Sequence, residues 1–217
     1  MGLISRSGIA AAFMLCAGAA CGTGRSILQA EAGCAPPCWQ GVTPGKTQAA
    51  EVPQLLAEAK HALSGEVDDL GPYGIYDHRY VFALAAGGDG IIHASDGQVV
   101  AIRFIGLHAP LSRVLEALGP PESVLAVRGY DLYVNAVDPA RGIYWETRYP
   151  SWRMERATLS QTTPVDEIGY FDPASFELLL DAGMMSGGSL DAEEVMGSLR
   201  PWRGYGRIVD LYPLFNP

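Results

Sequence analysis

Three features of the sequence predict an α+β fold, with helices packed on antiparallel sheet in two related helix-then-strands halves. An amphipathic segment at residues 47–63 precedes a group of β-rich segments, and a second at 111–118 precedes another such group. The two rounds repeat at about 60 residues, the spacing of a loose duplication. Asp96-Gly97 lies between the apolar runs 90–95 and 98–105. Asp-Gly readily supplies positive φ at both central positions of a two-residue hairpin, so the sheet should be antiparallel there.

The first helix is prepared by Cys34 to Leu56. Cys34 and Cys38 bracket Pro36-Pro37, whose fixed φ values stiffen the segment, and Trp39 follows as a large apolar anchor. Pro44-Gly45 suits the centre of a type II turn, which needs positive φ at its second residue. Thr47 is then the expected N-cap of a helix carrying Val52, Leu55, Leu56, Ala59 and Leu63 on one side. Residues 64–76, with Gly65, Gly71, Pro72, Gly74 and three acidic side chains, read as a loop, and residues 79–85 as a strand. In the second hairpin strand, alternation places Val100, Ile102 and Phe104 on one face and Val99, Ala101, Arg103 and Ile105 on the other.

The second round opens with Leu111, Val114, Leu115 and Leu118 on a helix stopped by Gly119-Pro120-Pro121. Strands are expected at 122–127, 130–137, 142–149, 153–159 and 165–171, with 138–142 as a turn. Helices are expected at 175–182 and 191–199, on either side of Ser186-Gly187-Gly188-Ser189, with Asp191 near the second N-terminus. The aromatic tail should close over the core. The organisation is therefore a signal peptide at 1–20, a tether at 21–33, a first half at 34–106, a second half at 107–172, and a C-terminal helical segment and tail at 173–217.

Residues 1–20 carry Arg6 as their one charge and an apolar run from Gly8 to Ala20, the pattern of an export signal too short to span a bilayer. Two processing routes follow. Gly18-Ala19-Ala20-Cys21 fits lipidation at Cys21, which would anchor the chain outside the cytoplasmic membrane. Ala17-Gly18-Ala19 or Ala30-Glu31-Ala32 would instead suit an ordinary signal peptidase and a freely secreted product. After lipidation, Cys34 and Cys38 are the remaining thiols, an even pair in an oxidising compartment and hence an expected disulfide.

Charge narrows the partners. The formal net charge is −9, and the chain shows no arginine cluster in sequence, so nucleic acid is not an expected partner. Contact with a membrane is expected through the N-terminal lipid, together with a protein partner of the envelope. No metal or cofactor is expected. His61, His78, His93 and His108 are scattered without metal-ligand spacing, and Asp166, Glu167 and Asp172 lack a calcium-loop order. Gly41 to Thr47 has only three residues between its glycines, one short of a phosphate-binding loop.

Pro37-Cys38-Trp39-Gln40-Gly41-Val42-Thr43-Pro44-Gly45, the later Leu118-Gly119-Pro120-Pro121-Glu122, and Thr163-Pro164-Val165 running into Gly169-Tyr170-Phe171 resemble a family of small exported bacterial proteins of unassigned function. The resemblance covers most of residues 34–172 and implies no activity. More distantly, the turn-helix start and the helix-Leu-Gly-x-Pro ending are similar to SmpA/OmlA-type outer-membrane-assembly lipoproteins, whose helices pack on one face of an antiparallel sheet. A tandem version of that layout occurs in secreted β-lactamase-inhibitory proteins. The expected function is a non-catalytic binding or assembly module of the envelope. The competing readings are a hydrolase assembled from His78, His93 and Asp166, and a secreted inhibitor presenting Tyr73, Tyr76 and Tyr149.

Overall fold

A computed structural model describes residues 25–28, 33–185 and 190–215. The expected export signal at residues 1–20, Cys21 and Ser186 to Ser189 lie outside the described residues. In chain order the elements are α1 (Arg25–Leu28), α2 (Val52–Glu58), β1 (Leu63–Asp69), β2 (His78–Leu84), β3 (Asp89–Ser95) and β4 (Gln98–Pro110), then α3 (Leu111–Leu118), β5 (Ser123–Arg128), β6 (Leu132–Asp138) and β7 (Ile143–Tyr149). They continue with β8 (Thr158–Leu159), β9 (Pro164–Phe171), α4 (Phe176–Asp181), α5 (Ala192–Ser198), β10 (Arg200–Pro201), β11 (Gly206–Arg207), α6 (Ile208–Leu211) and β12 (Leu214–Phe215). The class is mixed α+β.

One sheet organises them, in the order β1-β2-β3-β4-β9-β7-β6-β5-β10, with β12 lying parallel on β5 as its tenth strand. All other pairings in it are antiparallel. Its near face carries the larger core: Phe82, Ile92, Phe104, Ile168, Tyr170 and Trp145 meet Val52 and Leu56 of α2 and Leu111, Val114 and Leu118 of α3. Trp39 stacks on Phe82 with centroids 5.3 Å apart and meets the edge of Phe104 at 5.1 Å, so the Cys34–Cys38 segment is fastened by its tryptophan. The Cys34 and Cys38 sulfurs are in bonding contact, with Cα atoms 5.0 Å apart. Ile27, in the stretch expected to be a tether, is buried, and its carbonyl accepts a hydrogen bond from the Tyr170 hydroxyl.

The hairpin forms at Asp96-Gly97, with φ of 51° and 74°. The face assignment next to it changes. A register shift pairs His93 with Ala101 but Ala94 with Val99, leaving Val100 as the extra residue. Val99 therefore joins Ile102 and Phe104 in the near core, and Val100 joins Ala101 on the far face. Such a bulge reverses the alternation on one side of itself.

Four other expectations are corrected. Residues 64–69 are strand, not loop: β1 is an edge strand whose outward residues meet solvent, so an acidic composition suits it. Thr47 is not the helix cap. Its hydroxyl instead accepts from the Thr43 amide at 2.8 Å, tightening the preceding turn. The helical stretch starts two residues later with a 3-10 turn at Ala49–Glu51, where the Glu51 carboxylate accepts from the Gln48 amide at 2.8 Å. Residues 151–156 form a 3-10 helix rather than a strand, leaving only β8 from that prediction.

Phe82 lies directly opposite Gly90 across β2 and β3, and a Cβ on Gly90 would overlap the Phe82 ring. Gly90→Ala is expected to destabilise the fold by about 1–3 kcal/mol through overpacking. Equilibrium urea unfolding checks this, and an unchanged midpoint would contradict it.

Candidate functional site

The far face of the sheet is built differently. Phe176, Leu179 and Leu180 of α4, Met184 and Met185 in the turn after it, and Val195 of α5 pack over Ala101, Leu125, Val127, Val137, Tyr144 and Phe171. α5 begins at a capping box, with the Asp191 carboxylate accepting from the Glu194 amide at 2.9 Å and the Glu194 carboxylate accepting from the Asp191 amide at 3.2 Å. The Asp181 carboxylate accepts from the Ala192 amide at 2.9 Å, tying the two helices together. Beneath this cover, strand alternation puts polar side chains on the same face as the apolar ones.

Two rows of cross-strand neighbours define the site. In one, Arg103 on β4 faces Gly169 on β9, and Gly169 faces Tyr144 on β7. In the next, Glu167 on β9 faces Glu146 on β7, and Glu146 faces Asn135 on β6. Gly169 is the enabling residue. Having no side chain, it leaves the Tyr144 ring the space that a Cβ would occupy. An isolated glycine inside a strand marks such an approach.

Across that gap Arg103 grips Glu167 with two hydrogen bonds, Nε to Oε1 at 2.7 Å and Nη2 to Oε2 at 2.9 Å. The Tyr144 hydroxyl donates to the same Oε1 and accepts from Arg103 Nε at 3.1 Å. Burial, and then the Glu167 charge, push the Tyr144 phenol far above its usual range, so it stays a neutral donor. The contacts with Tyr144 and Glu167 likewise hold Arg103 protonated.

Glu146 has no such partner. Among the described residues nothing donates a hydrogen bond to it, and the guanidinium that lines the same cleft, Arg103, is committed to Glu167. Burial first, and the facing Glu167 carboxylate second, raise its pKa from 4.5 to about 7. Like charges directly opposite on neighbouring strands disfavour ionising both. Asn135, fully buried beside it, donates Nδ2 to the Met185 carbonyl at 2.8 Å and leaves Oδ1 without a partner. Together with Val127, Tyr133, Gly183 and Met185, the side chains of Arg103, Tyr144, Glu146 and Glu167 enclose a cleft of about 360 Å³ between sheet and cover. That volume lies within the range of small-molecule sites.

Apart from Glu167, the residues singled out from sequence lie elsewhere. His78 Nδ1 is 2.9 Å from Asp69 Oδ2 and stacks on Tyr80, on the near-face side of β2. His93 faces Arg79 in register, which puts it on the opposite side of the sheet from His78. Its ring meets Tyr76 at 4.3 Å, and both ring nitrogens lack partners. Burial, with the Arg103 and Arg79 charges adding to it, lowers the His93 pKa to about 3. It is neutral throughout the physiological range. Asp166 pairs with His108 at 3.2 Å. The three side chains of the hydrolase reading are not brought together.

Asp77 and His78 also part company, because Asp77 Oδ2 accepts from the Gly97 amide at 2.7 Å and so supports the hairpin turn. Of the tyrosines, Tyr73 is exposed, Tyr76 packs against the far core, and Tyr149 packs against the near core with its hydroxyl on the Thr158 carbonyl. They do not form one exposed patch. Asp172 accepts from the Ala174 amide and the Ser175 hydroxyl, apart from the partners of Asp166 and Glu167. Among the described residues no group of histidine, cysteine and carboxylate side chains is placed to hold a metal ion.

Sequence reasoning missed Arg103, Tyr144, Glu146 and Glu167 as a group because they come from three strands, and β4 and β9 meet only through the sheet order. The available signals were Arg103 and Glu167 inside otherwise apolar strands and Gly169 between Ile168 and Tyr170. Compared with protein-family models, curated proteins and solved structures, the chain gives no significant match.

Two outcomes follow from the charge arrangement. Because Glu146 binds its proton more tightly in the folded than in the unfolded chain, the folded state loses stability as pH rises from about 4.5 to 7. Glu146→Gln should flatten that part of the profile, as measured by Tm against pH. Arg103→Met, which strands the Glu167 charge, is expected to cost about 3–5 kcal/mol in urea unfolding, and adding Glu167→Met should restore most of it.

Proposed function

We propose that this chain is a non-catalytic binding module of the bacterial cell envelope, exported by residues 1–20 and held outside the cytoplasmic membrane by a lipid on Cys21. The observation that carries the binding reading is the cleft between the sheet and α4–α5, where Glu146 stands without a partner beside the paired Arg103, Tyr144 and Glu167. Hydrolysis is less well supported, because His78, His93 and Asp166 have separate partners and His93 is held neutral without an orienting carboxylate. The inhibitor reading is weakened by the packing of Tyr76 and Tyr149 into the two cores.

The same proposal takes the molecule as two related helix-then-strands halves. Strand order supports it: β1-β2-β3-β4 and β5-β6-β7-β9 mirror each other across the β4–β9 seam, each set preceded by a helix. Each half also lays an aromatic ring over a cross-strand glycine, Phe82 over Gly90 and Tyr144 over Gly169. The resemblance to exported bacterial proteins belongs to this reading, as does a Cys34–Cys38 disulfide that fastens the entrance of the first half.

Two measurements test it. Cells fed labelled palmitate should label the wild-type protein in the envelope fraction and not Cys21→Ala; an unlabelled wild-type protein overturns the anchor. Protein purified from the envelope, screened by thermal shift against a panel of small anions, cations and neutral molecules, should be stabilised by at least one class. A flat response across all three overturns the binding reading.

A further inference from the structure

The cleft contains two carboxylates and one guanidinium, and the guanidinium is already spent. Arg103 gives Nε and Nη2 to Glu167, so the pair is close to neutral as seen from the cleft, and Glu146 sets the sign of what remains. An anionic ligand would meet Glu146 and Glu167 with no uncommitted cation among the lining residues. A neutral apolar ligand would bury Glu146 further and leave it without a donor, and an unmatched buried acceptor is costly. The surroundings are of the opposite kind: Val127 and Met185 offer an apolar wall, and Tyr133 and Tyr144 offer aromatic surface.

We propose that the cleft binds a protonated primary amine on a short apolar stem, with Glu146 as its counter-ion. An ammonium group has three donors and no acceptor, which suits a carboxylate that receives no hydrogen bond. Desolvated cations gain from aromatic faces, and a thioether adapts to an irregular alkyl stem.

Binding carries a proton signature. The groups facing Glu146 are Glu167 from β9, Arg103 from β4, Tyr144 on its own strand, Tyr133 and Asn135 from β6, and at the rim Asp166 and Arg148. From the cover, Gly183 and Met185 add nothing that titrates. Bringing an ammonium to Glu146 favours its ionised form, so the complex sheds the proton that Glu146 holds in the free protein near neutral pH. Amine affinity therefore rises with pH up to about 7 and levels off above it.

This inference rests on the reading of the cleft as a binding site, and its test separates the two. Hexylamine, hexanol and hexanoate share a stem and differ in head group. Isothermal titration of the wild-type protein at pH 7.5 should show hexylamine binding at least about tenfold more tightly than either of the others. Glu146→Gln, nearly identical in shape, should lose that preference by a similar factor, and its Tm reports that it is folded. Between pH 5.5 and 7.5 the wild-type affinity for hexylamine should rise while that of Glu146→Gln stays flat. Equal binding of all three probes, preference for hexanoate, or an amine preference that survives Glu146→Gln each overturns the amine assignment while leaving a binding cleft. Absence of binding by every probe overturns it too, and the broader panel then decides whether the cleft binds anything.

Discussion

Arg103 and Glu167 stand on the two strands where the halves of the sheet meet, and their ion pair is the constraint on which the far face depends. The seam between β4 and β9 is central in a ten-stranded sheet, so neither strand has an edge from which a charge can escape to water. A guanidinium placed there needs a carboxylate directly within reach, and both lobes of the carboxylate need donors. Glu167 receives two from Arg103 and one from Tyr144, and Tyr144 reaches it only because Gly169 leaves the row open. Four residues on three strands are thus one decision. The second carboxylate, Glu146, lies outside that decision and inherits an environment already settled by those four.

The two faces of the sheet show what this constraint does to packing. On the near face the helices α2 and α3 meet an almost wholly apolar surface, where the Tyr80 and Tyr170 hydroxyls each donate to a backbone carbonyl and the Trp39 and Trp145 indole nitrogens have no hydrogen-bond partner. Close packing is then limited only by shape, and Trp39 over Phe82 fills the centre. On the far face the short helices α4 and α5 cannot seat directly on a row of charged side chains. They pack on Phe171, Val137 and Leu125 to one side and stand off from Glu146, with Asn135 holding the Met185 carbonyl as a strut. The cleft is the space that this stand-off leaves.

Much of the fold was legible from local rules, and little of the site was. The Asp96-Gly97 turn, the Leu111–Leu118 helix ending at Gly119, and Asp191 at the start of α5 each follow from residues adjacent in sequence, and each forms as expected. β1 was read as a loop because an edge strand can be made from Gly65, Glu66 and Asp68, its stability coming from backbone pairing with β2 rather than from an apolar face. Val99 and Val100 exchanged faces because a bulge has no fixed residue signature in a run where every residue is apolar. The site was hidden for a further reason. Glu146 and Glu167 become neighbours only when β7 passes over β8 to pair with β9, and no periodicity along one strand reports that choice.

The position of the cleft along the chain also bears on how a site of this kind arises. On the far face, Arg103 and Gly169 lie between Ile91 of β3 and Tyr144 of β7, and Glu167 lies between Ile105 of β4 and Glu146 of β7. The helices that close the cleft come after β9 and belong to neither repeat of the proposed duplication. A duplicated sheet alone would have presented Glu146 to water, where a carboxylate is unremarkable. Adding α4 and α5 removes that water, raises the proton affinity of Glu146, and changes a surface charge into a group that must be neutralised by a proton or by a ligand. On this view the segment 173–217 is what converts an inert face of the scaffold into a place where a cation can be recognised, and the rest of the chain supplies the rigidity that recognition requires.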